Sequence, residues 1–343
     1  MVHKPFDGAR GRVERVWFDS QLLNNNPLGD PTRREVGVYL PAGYDEETSR
    51  HYPVLFDLAG YTGSGLSHLA WKNFSENIPE RLDRLIATAQ LGPVIVVFPD
   101  FFTSLGGNQY INSSALGPYG DVLNKELVPF IDGQFRSASS RQHRGLFGKS
   151  SGGYGSLVHG MRNAETWGAI ACHSGDMYFE FGYWFDFPIL LNTLASHDRS
   201  VEKFLAHFRS RDKHKGDEIH TLMLIAMAAS YDPDPETNLG YHLPVDLYTG
   251  ERLEERWKRW LRHDPIHLLE SCRDNLEKLA LLYIDCGFRD QYHLHYGSRI
   301  LCKKLENYEI PHYYEEFNDN HSSIDYRLDV SLPMLESALR VDK

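Results

Sequence analysis

The six residues Gly148-Lys149-Ser150-Ser151-Gly152-Gly153 carry the strongest chemical signal in the chain. A serine hydroxyl is a weak nucleophile until a base takes its proton, and Gly-x-Ser-x-Gly is the spacing that holds such a serine on a sharp turn between a strand and a helix. Here the strand-like stretch RGLFG precedes the motif's serine, and Tyr154, Leu157, Val158 and Met161 follow at helical spacing. The turn forces the serine into a strained backbone conformation, and glycines on each side remove the clashes that side chains would make. The letters Gly148-Lys149-Ser150 also resemble the end of a phosphate-binding loop, but that motif demands glycine at position 143, which is His143. The pattern predicts Ser150 as a covalent nucleophile.

A nucleophilic serine needs a base and an acid to orient it, in the chain order serine, acid, histidine for this kind of turn. An apolar run, Leu279–Ile284, is followed by Asp285 and Asp290, both on the stretch where an acid belongs. Asp290 lies beyond Gly287, has more freedom to reach an imidazole, and is preferred; Asp285 then becomes a satisfied polar group at the strand end. The strand-like segment Pro311–Phe317 leads into Asn318-Asp319-Asn320-His321-Ser322-Ser323. Of the 17 histidines, His321 has the right order, element and loop; His312 lies within the strand, and His293 and His295 fall on the helix after Asp290. The oxyanion donors expected are the backbone N–H of Ser151 and that of Tyr61, in the loop Leu58–Gly65, where Gly60 lets the backbone approach.

The elements that must position these residues are legible as well. Arg12–Asp19 and Arg34–Leu40 alternate like strands and, joined by a short turn-rich link, read as an antiparallel pair. The runs Pro53–Leu58, Pro93–Phe98, Gly145–Phe147, Gly168–Cys172 and Leu279–Ile284 are almost continuously apolar, as strands buried on both faces are. Helical spacing recurs between them, at Ile78–Ala89, Val122–Phe135 and Ser151–Met161. This alternation predicts an α/β fold with a mostly parallel central sheet flanked by helices, and the elbow motif makes it one of the α/β-hydrolase type. Residues 1–343 read as one such domain, and the alternation lapses at 176–271, read as a mainly helical insertion or cap before the acid loop. Phe101 and Phe102 after the strand ending FPD, and Tyr178 and Trp184 in the aromatic run Tyr178–Phe187, are expected to wall an apolar substrate pocket.

The formal net charge of −11 is a poor match for nucleic acid or an anionic membrane. The four cysteines, Cys172, Cys272, Cys286 and Cys302, form no CxxC pair, so neither a zinc nor a redox motif is indicated, and they fit a reducing compartment. The first residues lack the apolar core of a secretion signal, and no run of about 18 apolar residues spans a membrane. A cytoplasmic enzyme with no metal and no organic cofactor is expected, acting on a small-molecule ester; a homo-oligomer is compatible with all of this.

With these residues set out, the chain resembles the putative-esterase family of α/β hydrolases, which includes esterase D (S-formylglutathione hydrolase), enterobactin esterases, feruloyl esterases and mycolyltransferases. The resemblance rests on PVLFDLAGYTG, VVFPD, ELVPFIDGQFR, GLFGKSSGGYGS, ACHSGD, IDCGFRDQY and NDNHSS, and covers most of the chain outside the insertion. It implies a triad of Ser150, Asp290 and His321, supports Asp290 over Asp285, and implies oxyanion donors at Tyr61 and Ser151. Family members usually have a large apolar residue where Ser151 stands and other residues where Lys149 stands, and the long aromatic insertion does not look like that of esterase D. The function implied is carboxylic ester hydrolysis; the alternatives are an acyltransferase using the same triad and a silent binding protein on the same fold.

Overall fold

The continuous apolar runs become the centre of an eight-stranded sheet. The computed structural model describes residues 6–341. Strands β1 (Arg12–Asp19) and β2 (Arg33–Leu40) pair antiparallel, with Arg12 opposite Leu40 and Asp19 opposite Arg33. They are followed by β3 (Val54–Leu58), β4 (Ile95–Phe98), β5 (Arg144–Lys149), β6 (Ala169–His173), β7 (Leu281–Gly287) and β8 (Tyr313–Phe317). The spatial order is β1-β2-β4-β3-β5-β6-β7-β8; β2 meets β4 antiparallel, and every pairing from β4 to β8 is parallel.

Alternate residues of the central strands enter two separate cores, which is why these strands carry no polar face. Phe56, Leu146, Ile170 and Ile284 belong to one cluster; Leu55, Phe147, Ala171 and Tyr283 belong to the other. The second cluster is closed by α1 (Ile78–Ala87), through Ile78, Leu82 and Leu85, and by the last helix described below. Helix α1 starts on a capping box, Asn77 with Glu80. The helix expected over Val122–Phe135 spans residues 119–134 and ends as α2 (Val128–Gln134), after a π-type stretch Val122–Leu127. That widening falls just before Pro129, whose missing N–H interrupts the regular ladder. Helix α3 (Ser151–Arg162) follows β5 directly and is buried along Tyr154, Leu157, Val158 and Met161.

Between β6 and β7 the chain is mainly helical: α4 (Phe187–Ala195), α5 (Val201–Arg209), α6 (Gly216–Tyr231) and α7 (Glu254–Leu261). Its aromatic residues pack mostly on one another. Tyr231 stacks on Phe179 at 5.0 Å and meets Trp260 edge-on at 5.5 Å, and Trp257 lies 5.7 Å from Trp260. After β7 come α8 (Leu294–Asn307), β8 and α9 (Leu328–Leu339), whose Leu328, Leu332, Leu335 and Leu339 seal the second core. Among the described residues no helix is long and apolar enough to cross a membrane, and the four cysteines are free.

Candidate active site

Ser150 stands at the junction of β5 and α3 with φ 60° and ψ −125°, a conformation that serine adopts only under constraint. Two bonds lock it: its N–H donates to His173 O at 3.0 Å, and its carbonyl accepts from the Tyr154 N–H at 2.8 Å. The glycines of the motif are a matter of space. A β-carbon built on Gly152 would lie 1.7 Å from the Leu58 carbonyl oxygen, because the end of β3 presses against the first turn of α3. That close approach brings the loop Ala59–Tyr61 alongside the serine; a β-carbon on Gly60 would already be 3.6 Å from the Ser150 β-carbon. Neither the Tyr61 N–H nor the Ser151 N–H donates to another group of the chain among the described residues.

Asp290, on the loop after β7, and His321, on the loop after β8, meet: His321 Nδ1 lies 2.7 Å from Asp290 Oδ2. The other carboxylate oxygen accepts from the Tyr292 N–H at 2.8 Å, and the His321 N–H donates to Gln291 Oε1 at 3.0 Å, so both partners are anchored by the same loop. Tyr292 also sets its ring edge-on to the imidazole at 4.8 Å. With Nδ1 engaged, Nε2 is the nitrogen left for a substrate. Asp285 has a different place. Strand β7 extends through Gly287, beyond the expected end at Ile284, so Asp285 lies inside it, and its carboxylate accepts from His173 at 2.7 Å, Tyr283 at 2.8 Å and Arg327 at 2.9 Å. Burial alone would push its carboxyl up; His173, Arg327 and Tyr283 together hold it below the usual range.

Ser150, Ser151, Gly60, Tyr61 and His321 open on one cavity of about 240 Å³. The mainly helical stretch between β6 and β7 supplies another part of its lining, with Phe179 and Tyr183 before α4 and Ile219, His220 and Met223 on α6. His220 is tied by Nδ1 to the buried Asp186 at 2.9 Å, and this bond raises its pKa above the ordinary imidazole value. Burial pushes the Lys149 ammonium, at the cavity's edge, below its ordinary value.

A residue to which the sequence analysis assigned no role is Asp176. It lines the cavity and accepts a hydrogen bond from Ser150 Oγ at 3.3 Å, while no hydrogen bond joins Ser150 Oγ to His321 among the described residues. Burial pushes the Asp176 carboxyl above the usual range, against the pull of Tyr183, His321, Ser151 and Gln109. Only its place after β6 hinted at this, since Gln109 comes from an earlier part of the chain and Tyr183, seven residues on, is brought back to it by the turn and short helix between them.

The four expected pocket residues lie elsewhere. Phe101 is core, 5.5 Å from the Tyr119 ring and 6.0 Å from that of Tyr110. Phe102 faces solvent, with its carbonyl bonded to Arg34. Tyr178 turns at φ 58°, with its N–H held by Asp264, and lays its ring on Phe181 at 4.6 Å. Trp184 packs on Phe187 and Trp257, with Arg252 over its ring. None of the four lines the cavity. The turn at Tyr178 and the short helix Phe179–Gly182 direct Phe179 and Tyr183 inward in their place. Away from the serine, Glu180, Asp264 and His267 bring ligand-type atoms within 4.8 Å of one another, but both Asp264 oxygens already accept backbone N–H groups of Tyr178, Phe179 and Ile266.

Comparison with known proteins places the chain by fold and by family. An Endo-1,4-beta-xylanase/feruloyl esterase of Xylanibacter ruminicola is 29% identical over 175 residues, which are 50% of this chain and 23% of that protein. The chain thus spans less than a quarter of that relative. A solved ferulic acid esterase superposes with a TM-score of 0.62 at 17% identity, covering 96% of this chain and 100% of the other. An S-formylglutathione hydrolase from Agrobacterium tumefaciens gives a TM-score of 0.57 at 15% identity, covering 98% and 99%. At such identities the likeness concerns the fold, an α/β hydrolase. The family model described as putative esterase matches residues 31–331, which is most of the chain, and the chain belongs to that family.

Proposed function

We propose that this protein hydrolyses carboxylic esters through an acyl-enzyme on Ser150, with His321 as base, Asp290 as the acid that orients it, and the Tyr61 and Ser151 N–H groups as oxyanion donors. The observation that carries this reading is the convergence on one cavity of the elbow serine, of His321 with Asp290 behind it, and of Tyr61 and Ser151, whose N–H groups have no acceptor among the described residues. His321 Nε2 takes the Ser150 proton as Oγ bonds to the carbonyl carbon and an electron pair moves onto the carbonyl oxygen. Asp290 holds the imidazole tautomer and stabilises its charged form. The two N–H groups receive the oxyanion, each donor worth about 3–4 kcal/mol where such groups have been removed elsewhere. Collapse breaks the bond to the alcohol, which leaves with the proton from His321; water then repeats the sequence and releases the acid.

Membership of the putative esterase family and relatives named for ferulic acid ester cleavage support ester chemistry. A cavity of about 240 Å³ is on the small side of ordinary ligand sites, which supports a compact group at the reacting end. The test is steady-state hydrolysis of 4-nitrophenyl acetate and butyrate. Wild type turns over at least one of them, and Ser150→Ala and His321→Ala each lower kcat/KM by about a thousandfold or more without changing the melting temperature. Variants as active as wild type contradict the assignment.

A further inference from the structure

Asp176 is an unusual neighbour for an attacking oxygen, since a desolvated negative charge there opposes a developing oxyanion. Its two oxygens are unequally served. Oδ2 accepts from Tyr183 Oη at 2.8 Å, Ser151 Oγ at 3.1 Å and Gln109 Nε2 at 3.4 Å. Among the described residues Oδ1 has only the Ser150 hydroxyl, at 3.3 Å, and that hydroxyl must turn to His321 for attack. The moment it does, Oδ1 is left without a donor at the cavity wall. The region is short of donors in general, because the nearby Gln109 Oε1 is buried with no partner among the described residues. Buried acceptors of this kind are normally satisfied, and an unsatisfied one beside a reacting centre points to a group brought by the ligand.

We infer that Asp176 selects the substrate: the esters this site prefers carry a hydroxyl on the first acyl carbon or on the second alcohol carbon beyond the scissile ester group, and that hydroxyl donates to Asp176 Oδ1. The inference rests on the serine-esterase reading of Ser150. At attack distance such a hydroxyl sits about 3–5 Å from the serine oxygen, and it needs about 2.8 Å to Oδ1. With Oδ1 3.3 Å from Oγ the triangle closes, whereas a hydroxyl at the far end of a long acyl chain lies out of reach. Binding then has two effects. It satisfies Oδ1, and it frees the Ser150 hydroxyl for His321, so that recognition and activation are coupled. The same chemistry occurs on either side of the bond, as a 2-hydroxyacyl ester or as a monoester of a vicinal diol.

The test compares kcat/KM for two isosteric pairs: ethyl lactate against ethyl isobutyrate for the acyl side, and 2-hydroxyethyl propionate against propyl propionate for the alcohol side. Each ratio is measured in wild type, Asp176→Asn and Asp176→Ala, so that intrinsic ester reactivity cancels. In Asp176→Asn the amide oxygen takes the three donors that Oδ2 now accepts, and the amide NH2 replaces Oδ1, turning an acceptor into a donor. Asp176→Ala removes both oxygens and provides the second reading should one variant fold poorly. The expected result is a hydroxylated-to-isostere ratio at least about tenfold higher in wild type than in either variant, for one of the pairs; the pair that responds identifies the side. Ratios that are the same in wild type and variants for both pairs overturn the inference while leaving the esterase reading intact. No hydrolysis of any of the four esters by folded wild type overturns both.

Discussion

Asp285 and Asp290 are two acids on one short stretch, and the backbone divides their work. Asp290 lies past the end of β7 and faces His321; Asp285 lies within the strand, held by His173, Tyr283 and Arg327. Asp290→Asn is therefore expected to lower kcat by about a thousandfold or more, through loss of the required tautomer, with little change in melting temperature. Asp285→Ala leaves Arg327 and His173 buried with partners missing, and is expected to destabilise by about 3–5 kcal/mol while the protein that remains folded stays active. Parallel kinetics and thermal melts of the two variants check this; the reverse pattern would exchange their roles. The loops that carry Asp290 and His321, and their order after Ser150, were legible in the chain. Asp176 was not, because a buried carboxylate gains meaning only from donors that the fold brings in, here Gln109, Ser151 and Tyr183.

At the scale of elements, the central parallel strands were legible for a physical reason: covered on both faces, they are almost continuously apolar, and little else in the chain is. Their ends were less so. The last hydrogen-bonded residues of β7, Asp285 to Gly287, are polar or small, and pairing with β8 rather than apolarity keeps them in the strand. The insertion was legible as helical, but the facing of its aromatics was not. Short turns at Tyr178 and Tyr183 reset the helical phase, and so Phe179 and Tyr183 line the cavity while Tyr178 and Trp184 pack elsewhere. The elbow is where an element is least forgiving. Gly152→Ala would set a methyl 1.7 Å from the Leu58 carbonyl, so β3 and α3 must separate. The expected cost is about 3 kcal/mol or more, with a drop in kcat as Ser150 shifts from the Tyr61 loop. Chemical denaturation and kinetics read both effects; a Gly152→Ala variant of wild-type stability would contradict this packing.

For the molecule as a whole, acid sensitivity follows from histidines buried as neutral rings. His159 on α3 is 3% exposed, with Nε2 donating to Tyr110 O at 2.8 Å, and burial lowers its pKa to about 4. The unfolded chain binds a proton there below about pH 6.5, and the folded chain does not until about pH 4. Stability from this residue is thus complete above pH 6.5 and is lost as the pH falls through that window, by up to about 3 kcal/mol. Urea unfolding at pH 7 and pH 4.5 is expected to show a smaller acid-side loss in His159→Gln than in wild type; equal losses would assign the sensitivity to other groups. The two cores on either face of the sheet, the elbow at its centre and the insertion over the cavity all converge on Ser150. The most direct test of the account is reaction with a fluorophosphonate, followed by peptide mass spectrometry. The account predicts a single adduct on Ser150 that disappears in Ser150→Ala and falls sharply in His321→Ala. Folded wild-type protein that forms no adduct, or forms one on another serine, would contradict it.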